Sequence, residues 1–475
     1  MATDLDTVAS LAEHRAQSIE TFTQDPSVLD KYTLILLVGP TKDASVLEKI
    51  SQHAEKSSIP LFYVHCVGFY SHFSIQIPAE FPIVDTHPDP ASTQDLRLLN
   101  PWPALKDFLK EKTQDLESLS DHDHGHIPYL LLLLYYLDVW RSSHSGDPPS
   151  NYSEKKEFKA LVESGARRAN AEGGEENYDE AGAAVLKSLN PPSISSGLRE
   201  VFASSHCESL NATSANFWII THAVCKFHKA HGLLPLPGAL PDMKAQSSDY
   251  IKLQNIYKSK ARDDLAEVIA VVRGVEKDLS RSTPVEEKEI EAFCKGAQFV
   301  KLIHGRPIRI ASATDDIDWS DRVKPLSQEA SDPTSLLPIY FAFLALDRHN
   351  DDLSRIKGLR EGPDTLKEIA GGQRVPSGAL LPLPNFSETA HFYTPKSQGG
   401  KDIAVFNTPP AQEMFDNVVK ELDRADGVAE LHNIAALTGG MVAQEVIKAI
   451  TKQYVPVDNT CVFDGIQSKT AVFNI

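Results

Sequence analysis

The chain has 475 residues, enough for two or three domains around a sizeable core. Its 47 basic and 65 acidic residues give a net charge of −18 and a pI near 5.4. So acidic a chain is repelled by nucleic-acid phosphate and by anionic lipid, so neither nucleic acid nor membrane is expected as a partner.

Residues 1–30 are polar and partly helical in pattern, with no basic-then-apolar leader. Residues 32–38, YTLILLV, form a nearly continuous apolar run that suits a strand buried on both faces of a parallel sheet. Gly39-Pro40 breaks it, and Asp43 can cap a helix carrying Val46, Leu47, Ile50 and Ala54 on one face. Residues 59–66, IPLFYVHC, make the next strand, so the region reads as a βαβ unit with a right-handed crossover. A further strand is expected over 69–77. No GxGxxG or GxxxxGK[ST] turn is present to cradle a phosphate. The chain has the later part of a doubly wound sheet and lacks its start. The chain is thus expected to be either a shortened product or a gene model short of its first segment, and the second is preferred because an unfinished sheet leaves an apolar edge open.

Asp85, His87 and Asp89 alternate as metal ligands can, but the prolines among them favour an exit loop. From about Leu105 to Ala370 the period is helical. In 121–126, DHDHGH, three histidines alternate; a solvated loop with Pro128 in the following first turn is preferred to a metal site. The run 127–137 is too short to span a bilayer and reads as a core helix. Pro235, Pro237, Gly238 and Pro241 stiffen a loop, after which Ser247 or Ser248 caps a helix bearing Tyr250, Ile251, Leu253, Ile256 and Tyr257. Residues 302–328 and 351–409 are poorly periodic, and the second reads as a partly disordered insertion.

The last 45 residues read as a long helix and a hairpin. Ile434, Leu437, Met441, Val446, Ile447, Ile450 and Tyr454 fall mostly on one side, and Pro456 is expected to end the helix. Residues 460–463 and 470–474 alternate as strands, with Asp464-Gly465 opening the turn. Gly439-Gly440 sits inside the helix at a cost of about 0.8–1 kcal/mol for each glycine. Either the two glycines let another backbone of the same core approach, or they face another chain.

The catalytic inventory is thin. Cys66, Cys207, Cys225, Cys294 and Cys461 are scattered, odd in number and without a CxxC pair. That pattern suits reduced thiols of cytoplasm or nucleus and does not suit structural zinc. Only Cys207, beside His206, tempts as a nucleophile, and neighbours in sequence need not face each other.

Two stretches carry a resemblance. GGMVAQEVIKAIT at 439–451 resembles the closing helix of the ubiquitin-activating-enzyme superfamily. With HNIAA, TKQYVP, Asn459-Thr460 and Asp464-Gly465, and with PDMKAQSSDYIKLQNIY at 241–257, it resembles more closely the regulatory subunits of neddylation activating enzymes. The family's second glycine is replaced here by Ser71, which puts the loop shape there in question.

The resemblance implies an incomplete Rossmann-like parallel-sheet α/β domain from 1–100 and 410–475, interrupted by a mainly helical insertion at 101–409, the counterpart of a catalytic-cysteine domain. It implies no catalytic residue, cofactor or metal in this chain. ATP and Mg²⁺ would sit in a catalytic partner subunit, which adenylates the ubiquitin-like modifier and takes it as a thioester for cullins. Partner contacts are expected at Asp242, Met243, Tyr250, Ile251, Leu253, Gln254, Asn255, Gly439 and Gly440. The alternatives are the small subunit of a sumoylation activating enzyme or a stand-alone nucleotide-dependent enzyme.

Overall fold

The computed structural model describes residues 19–475 except 41–42, 86–87, 89–93, 168, 170–173, 312–321, 330–331, 362–366, 370–372, 376–408 and 426–427. Two compact units emerge, Met1–Phe81 with Ile303–Ile475, and Pro82–Leu302.

The first unit begins as its residue pattern dictates. β1 is Ile35–Val38. Asp43 follows, and its carboxylate accepts the Ser45 amide at 2.8 Å to start α1, Ala44–Lys56. α1 lays Leu47, Ile50 and Ala54 against Ile35, Leu61 and Tyr63. β2, Leu61–Val67, then pairs in parallel with β1, Ile35 opposite Leu61. The expected βαβ unit is therefore present.

The sheet departs from expectation after β2. β3, Tyr70–Gln76, is antiparallel to β2. Only Gly68 and Phe69 separate the strands, and so short a link allows nothing but a hairpin. Gly68 takes φ +55°, a left-handed conformation that costs a glycine least.

β4, Phe81–Val84, leads into the second unit. There α2, Pro103–Thr113, α3, Tyr129–Ser143, α4, Asn216–His231, and α5, Ser247–Asp278, are joined by shorter helices. α5 is the spine. Its first half gives Leu253 and Tyr257 to a core with the leucines of α3, and its second half gives Val268 and Val272 to a core with Ile219 and Val224 of α4. Pro128 is the N-cap of α3 and not a residue of its first turn. The histidine run before it is not all solvated. His124 is buried, with Nδ1 2.7 Å from Glu175 and Nε2 3.1 Å from the Tyr178 hydroxyl. His87 and Asp89 lie outside the described residues.

β5, Val300–Ile303, pairs with β4 where the chain leaves this unit. α6, Leu337–Glu361, falls within the 101–409 span read from sequence as the insertion, yet it belongs to the first unit. Most of 351–409 beyond it lies outside the described residues. α7, Pro409–Arg424, packs Phe415, Val418 and Leu422 with the apolar residues of α6. α8 is His432–Thr451, and the hairpin of β6, Thr460–Asp464, and β7, Lys469–Phe473, closes the chain. Asp464 opens its turn by accepting the Ile466 and Gln467 amides at 2.8 and 3.0 Å. A Cβ on Gly465 would come within 2.6 Å of the Phe69 carbonyl, so no other residue fits there without a shift.

The main sheet has the order β1-β2-β3-β6-β7, and only its first pair is parallel. The expected parallel sheet is thus a five-stranded mixed sheet in a mostly helical α/β chain. α1, α6 and α7 cover one face, and α8 lies on the other against β2 and β3. β1 is not buried on both faces. Among the described strands it lies at the edge, and Leu36 and Val38 are 50% and 58% exposed. An apolar edge invites pairing with a second chain. Val38→Lys is expected to slow heat-induced aggregation, read by light scattering, while unfolding free energy stays within about 0.5 kcal/mol of the parent.

Candidate functional site

α8 is apolar almost all round, so its sequence does not say which side faces the sheet. In the structure Ile434, Thr438, Val442, Glu445 and Ala449 are the buried positions. Polar ties fix that choice. The Thr438 hydroxyl is 2.6 Å from that of Ser71 on β3. Glu445 accepts the Lys448 ammonium at 2.6 Å and the Val457 amide at 2.8 Å. Ser71, the departure from the family pattern, therefore lies inside a strand and holds α8 down.

The opposite side of α8 is open. Leu437, Ile447 and Ile450 are 48%, 47% and 62% exposed. Ala436, Gly440 and Ala443 lie between them and are also exposed. The single apolar stripe drawn from the sequence is therefore split, with Ile434 on the core side and these residues away from it. A Cβ on Gly439 or Gly440 would meet nothing within 4 Å. Among the described residues, nothing of this chain's own core packs against the glycine pair. The helix ends at Thr451 with Lys452 in the left-handed region at φ 55°, ahead of Pro456, and Tyr454 lies beyond it. By length and composition alone α8 could cross a membrane. Its ties to Ser71 and Val457 show that one side belongs to the sheet.

The second expected contact lies on the first turns of α5 in the helical unit. Gln246, not Ser247 or Ser248, is the N-cap, and no side chain caps the helix. Tyr250, half-buried, donates its hydroxyl to the Pro241 carbonyl at 3.2 Å and so ties the proline loop to the helix. Leu253 and Met243 point into the unit's core, 0% and 9% exposed. They anchor the helix to its own domain, because positions 253 and 257 share the inner face at helical spacing. Asp242, Ile251 and Asn255 are exposed and Gln254 half-exposed. Ile251, Asn255 and Lys252 line a shallow groove with Trp102 and Ala104.

What holds the proline loop left no mark in the local sequence pattern. Arg97 and Asp264 are 8% and 1% exposed, with Nη1 and Oδ2 3.3 Å apart. Asp264 also accepts the Leu236 amide at 2.9 Å and the Lys260 ammonium at 2.7 Å. Arg97 donates to the Leu234 carbonyl and to Asp95. One buried ion pair thus fixes both ends of 234–236. Residues so far apart in the chain leave no local pattern to read.

No cysteine is set up as a nucleophile. All five are buried. Burial pushes the Cys207 thiol up to about 12, and those of Cys66, Cys294 and Cys461 to about 11, 12 and 11. At Cys207 burial outweighs the nearby Lys229 ammonium, which alone would favour a thiolate. His222 sends Nδ1 to the Cys207 carbonyl at 2.8 Å, not to its sulfur. β1 runs into Gly39-Pro40 where a phosphate-binding turn would need a run of glycines.

No family model matches the chain. Curated proteins do. It is 31% identical over 458 residues to the NEDD8-activating enzyme E1 regulatory subunit of Xenopus laevis, covering 95% of this chain and 79% of that protein. It is 31% identical over 457 residues to the NEDD8-activating enzyme E1 regulatory subunit AXR1 of Arabidopsis thaliana, covering 95% and 77%. The corresponding Saccharomyces cerevisiae subunit is 23% identical over 487 residues, covering 99% and 85%.

Proposed function

The chain belongs to the family of NEDD8-activating enzyme E1 regulatory subunits, and from that premise we propose how it works within such an enzyme. The sumoylation alternative falls away with these relatives. A regulatory subunit implies a catalytic partner. In this reading the partner binds ATP and Mg²⁺, adenylates the modifier and takes it as a thioester that is later passed to cullins. This chain supplies no reacting group. Its mixed sheet acts as an E1-type, Rossmann-like half that completes the partner's fold. The helical unit is the counterpart of a catalytic-cysteine domain. The assembly works in cytoplasm and nucleus, which the five unpaired thiols support.

The observation that carries the proposal is the open apolar side of α8. Its Leu437, Ile447 and Ile450 surround two glycines with nothing against them. Contiguous exposed apolar surface marks an interaction site, and glycines let a partner's backbone come close. On the helical unit, Asp242, Tyr250, Ile251, Gln254 and Asn255 form a smaller second contact. Met243 and Leu253 act behind it by holding α5 in place.

ATP–pyrophosphate exchange tests the division of labour. The full chain alone, given modifier, ATP and Mg²⁺, is expected to show none. Mixed with the catalytic subunit, it is expected to restore exchange. Exchange by the chain alone would establish the stand-alone enzyme instead.

A further inference from the structure

The first unit holds a group of side chains that this function does not use. In the β2–β3 hairpin His65 lies directly opposite His72. Directly opposed residues of an antiparallel pair project from the same face, and the two ring centroids are 6.0 Å apart. α6 brings Asp347 to the pair, its Oδ1 3.2 Å from His65 Nδ1. One ligand-type atom from each of the three lies within 4.8 Å of the others.

Their surroundings are closed. His65 is 0% exposed and His72 2%. Phe343 stands 5.0 Å from one ring and 4.8 Å from the other, and Tyr340 is 5.6 Å from His72. Among the described residues, neither nitrogen of either histidine, nor Asp347 Oδ1, has a hydrogen-bond partner. The 3.2 Å contact is short enough for an ion pair but misaligned for a hydrogen bond. Buried polar groups left this way are costly and call for an explanation. The other carboxylate oxygen is already held, since the Tyr63 hydroxyl donates to Asp347 Oδ2 at 3.1 Å. Tyr63 therefore leaves Oδ1 to the histidines.

We propose that His65, His72 and Asp347 bind one divalent transition-metal ion through two imidazole nitrogens and a carboxylate oxygen. Two histidines and a carboxylate suit zinc, cobalt or ferrous iron. Magnesium and calcium prefer all-oxygen sets. Bond lengths of about 2.0–2.2 Å require the three side chains to turn slightly inward. Tyr63, bonded to the ligating carboxylate, is a positioning residue. The ion would staple the β2–β3 hairpin to α6, so its role is structural.

The test uses the full chain with Zn²⁺ or Co²⁺ alone. Chain purified without chelator is expected to retain one ion per molecule by elemental analysis. After chelation, Co²⁺ should restore saturable visible absorption, and Zn²⁺ should raise the melting temperature. Mg²⁺ should do neither. His72→Phe keeps a ring in the aromatic wall, and Asp347→Asn keeps the side-chain shape. Both should fold and lose the Co²⁺ spectrum. Tyr63→Phe should bind about 10–100-fold more weakly. If the parent binds Co²⁺ no better than His72→Phe, or melts at the same temperature with and without Zn²⁺, the cluster is only core packing and the proposal is overturned.

Discussion

Replacing Asp264 by alanine is expected to cost the helical unit about 3–5 kcal/mol, the usual penalty for breaking one side of a buried ion pair. The carboxylate is 1% exposed and receives Arg97, the Leu236 amide and Lys260. Alanine removes all three acceptor contacts at once. The Arg97 guanidinium, 3% exposed, keeps Asp95 and the Leu234 carbonyl but faces a void on its other side. Trp102, Trp140 and Trp218 all lie in this unit, so denaturant unfolding followed by tryptophan fluorescence reads the effect. Arg97→Met combined with Asp264→Leu should regain much of the loss, because an apolar pair leaves no charge stranded. A loss below about 1 kcal/mol for the single variant would mean that the loop's stability does not depend on this pair.

The second large effect concerns association. Ile447→Asp on the open side of α8 should leave the isolated chain's melting nearly unchanged, since the side chain is 47% exposed there. In the assembled enzyme the new carboxylate would be buried without a partner. At about 3 kcal/mol, affinity for the catalytic subunit falls roughly 150-fold. Gly440→Leu gives a sharper diagnostic, because the two effects have opposite signs. The isolated chain should gain up to about 1 kcal/mol of helix propensity, as a Cβ at this position meets nothing. The complex should lose about 1–3 kcal/mol from overpacking. Titration calorimetry of each variant against the catalytic subunit, beside thermal melts of the chain alone, separates the two. Undiminished affinity in both variants would move the interface off α8.

How far the sequence could be read varies from element to element. The start of the first unit was legible because each local signal agreed: an apolar run, an Asp43 cap, a helical face and a second run. The terminal hairpin was legible for the same reason, since Asp464-Gly465 writes its own turn. The sheet's direction after β2 was not. β3 is buried along its whole length although Ser71, His72, Ser74 and Gln76 are polar, and the two-residue link is what betrays the hairpin. α8 failed differently, because a helix apolar all round has no preferred face until Ser71 and Val457 select one. At the candidate contacts, residue type was a fair guide to which residues are apolar and no guide to direction. Ile251 and Leu253 are two residues apart on one helix, so one faces out and the other in. The His65–His72–Asp347 cluster could not be seen at all, because its third member comes from a helix far along the chain.

The seam between β3 and β6 also sets the timing of this protein's manufacture. Ser74 and Thr460, joined by a 2.8 Å hydroxyl contact across that seam, are 386 residues apart. At about 5–20 residues per second, a ribosome needs about 20–80 s to travel from one to the other. The helical unit, Pro82–Leu302, is released in full during that interval and draws its contacts from consecutive chain. The β2–β3 hairpin must wait with one edge unpaired, holding Phe73 and Ile75 ready to pair with any strand that reaches them first. The unpaired edge is therefore expected to need shielding for about 20–80 s of synthesis. Slowed elongation after residue 302 should raise the insoluble fraction without changing the stability of the finished molecule.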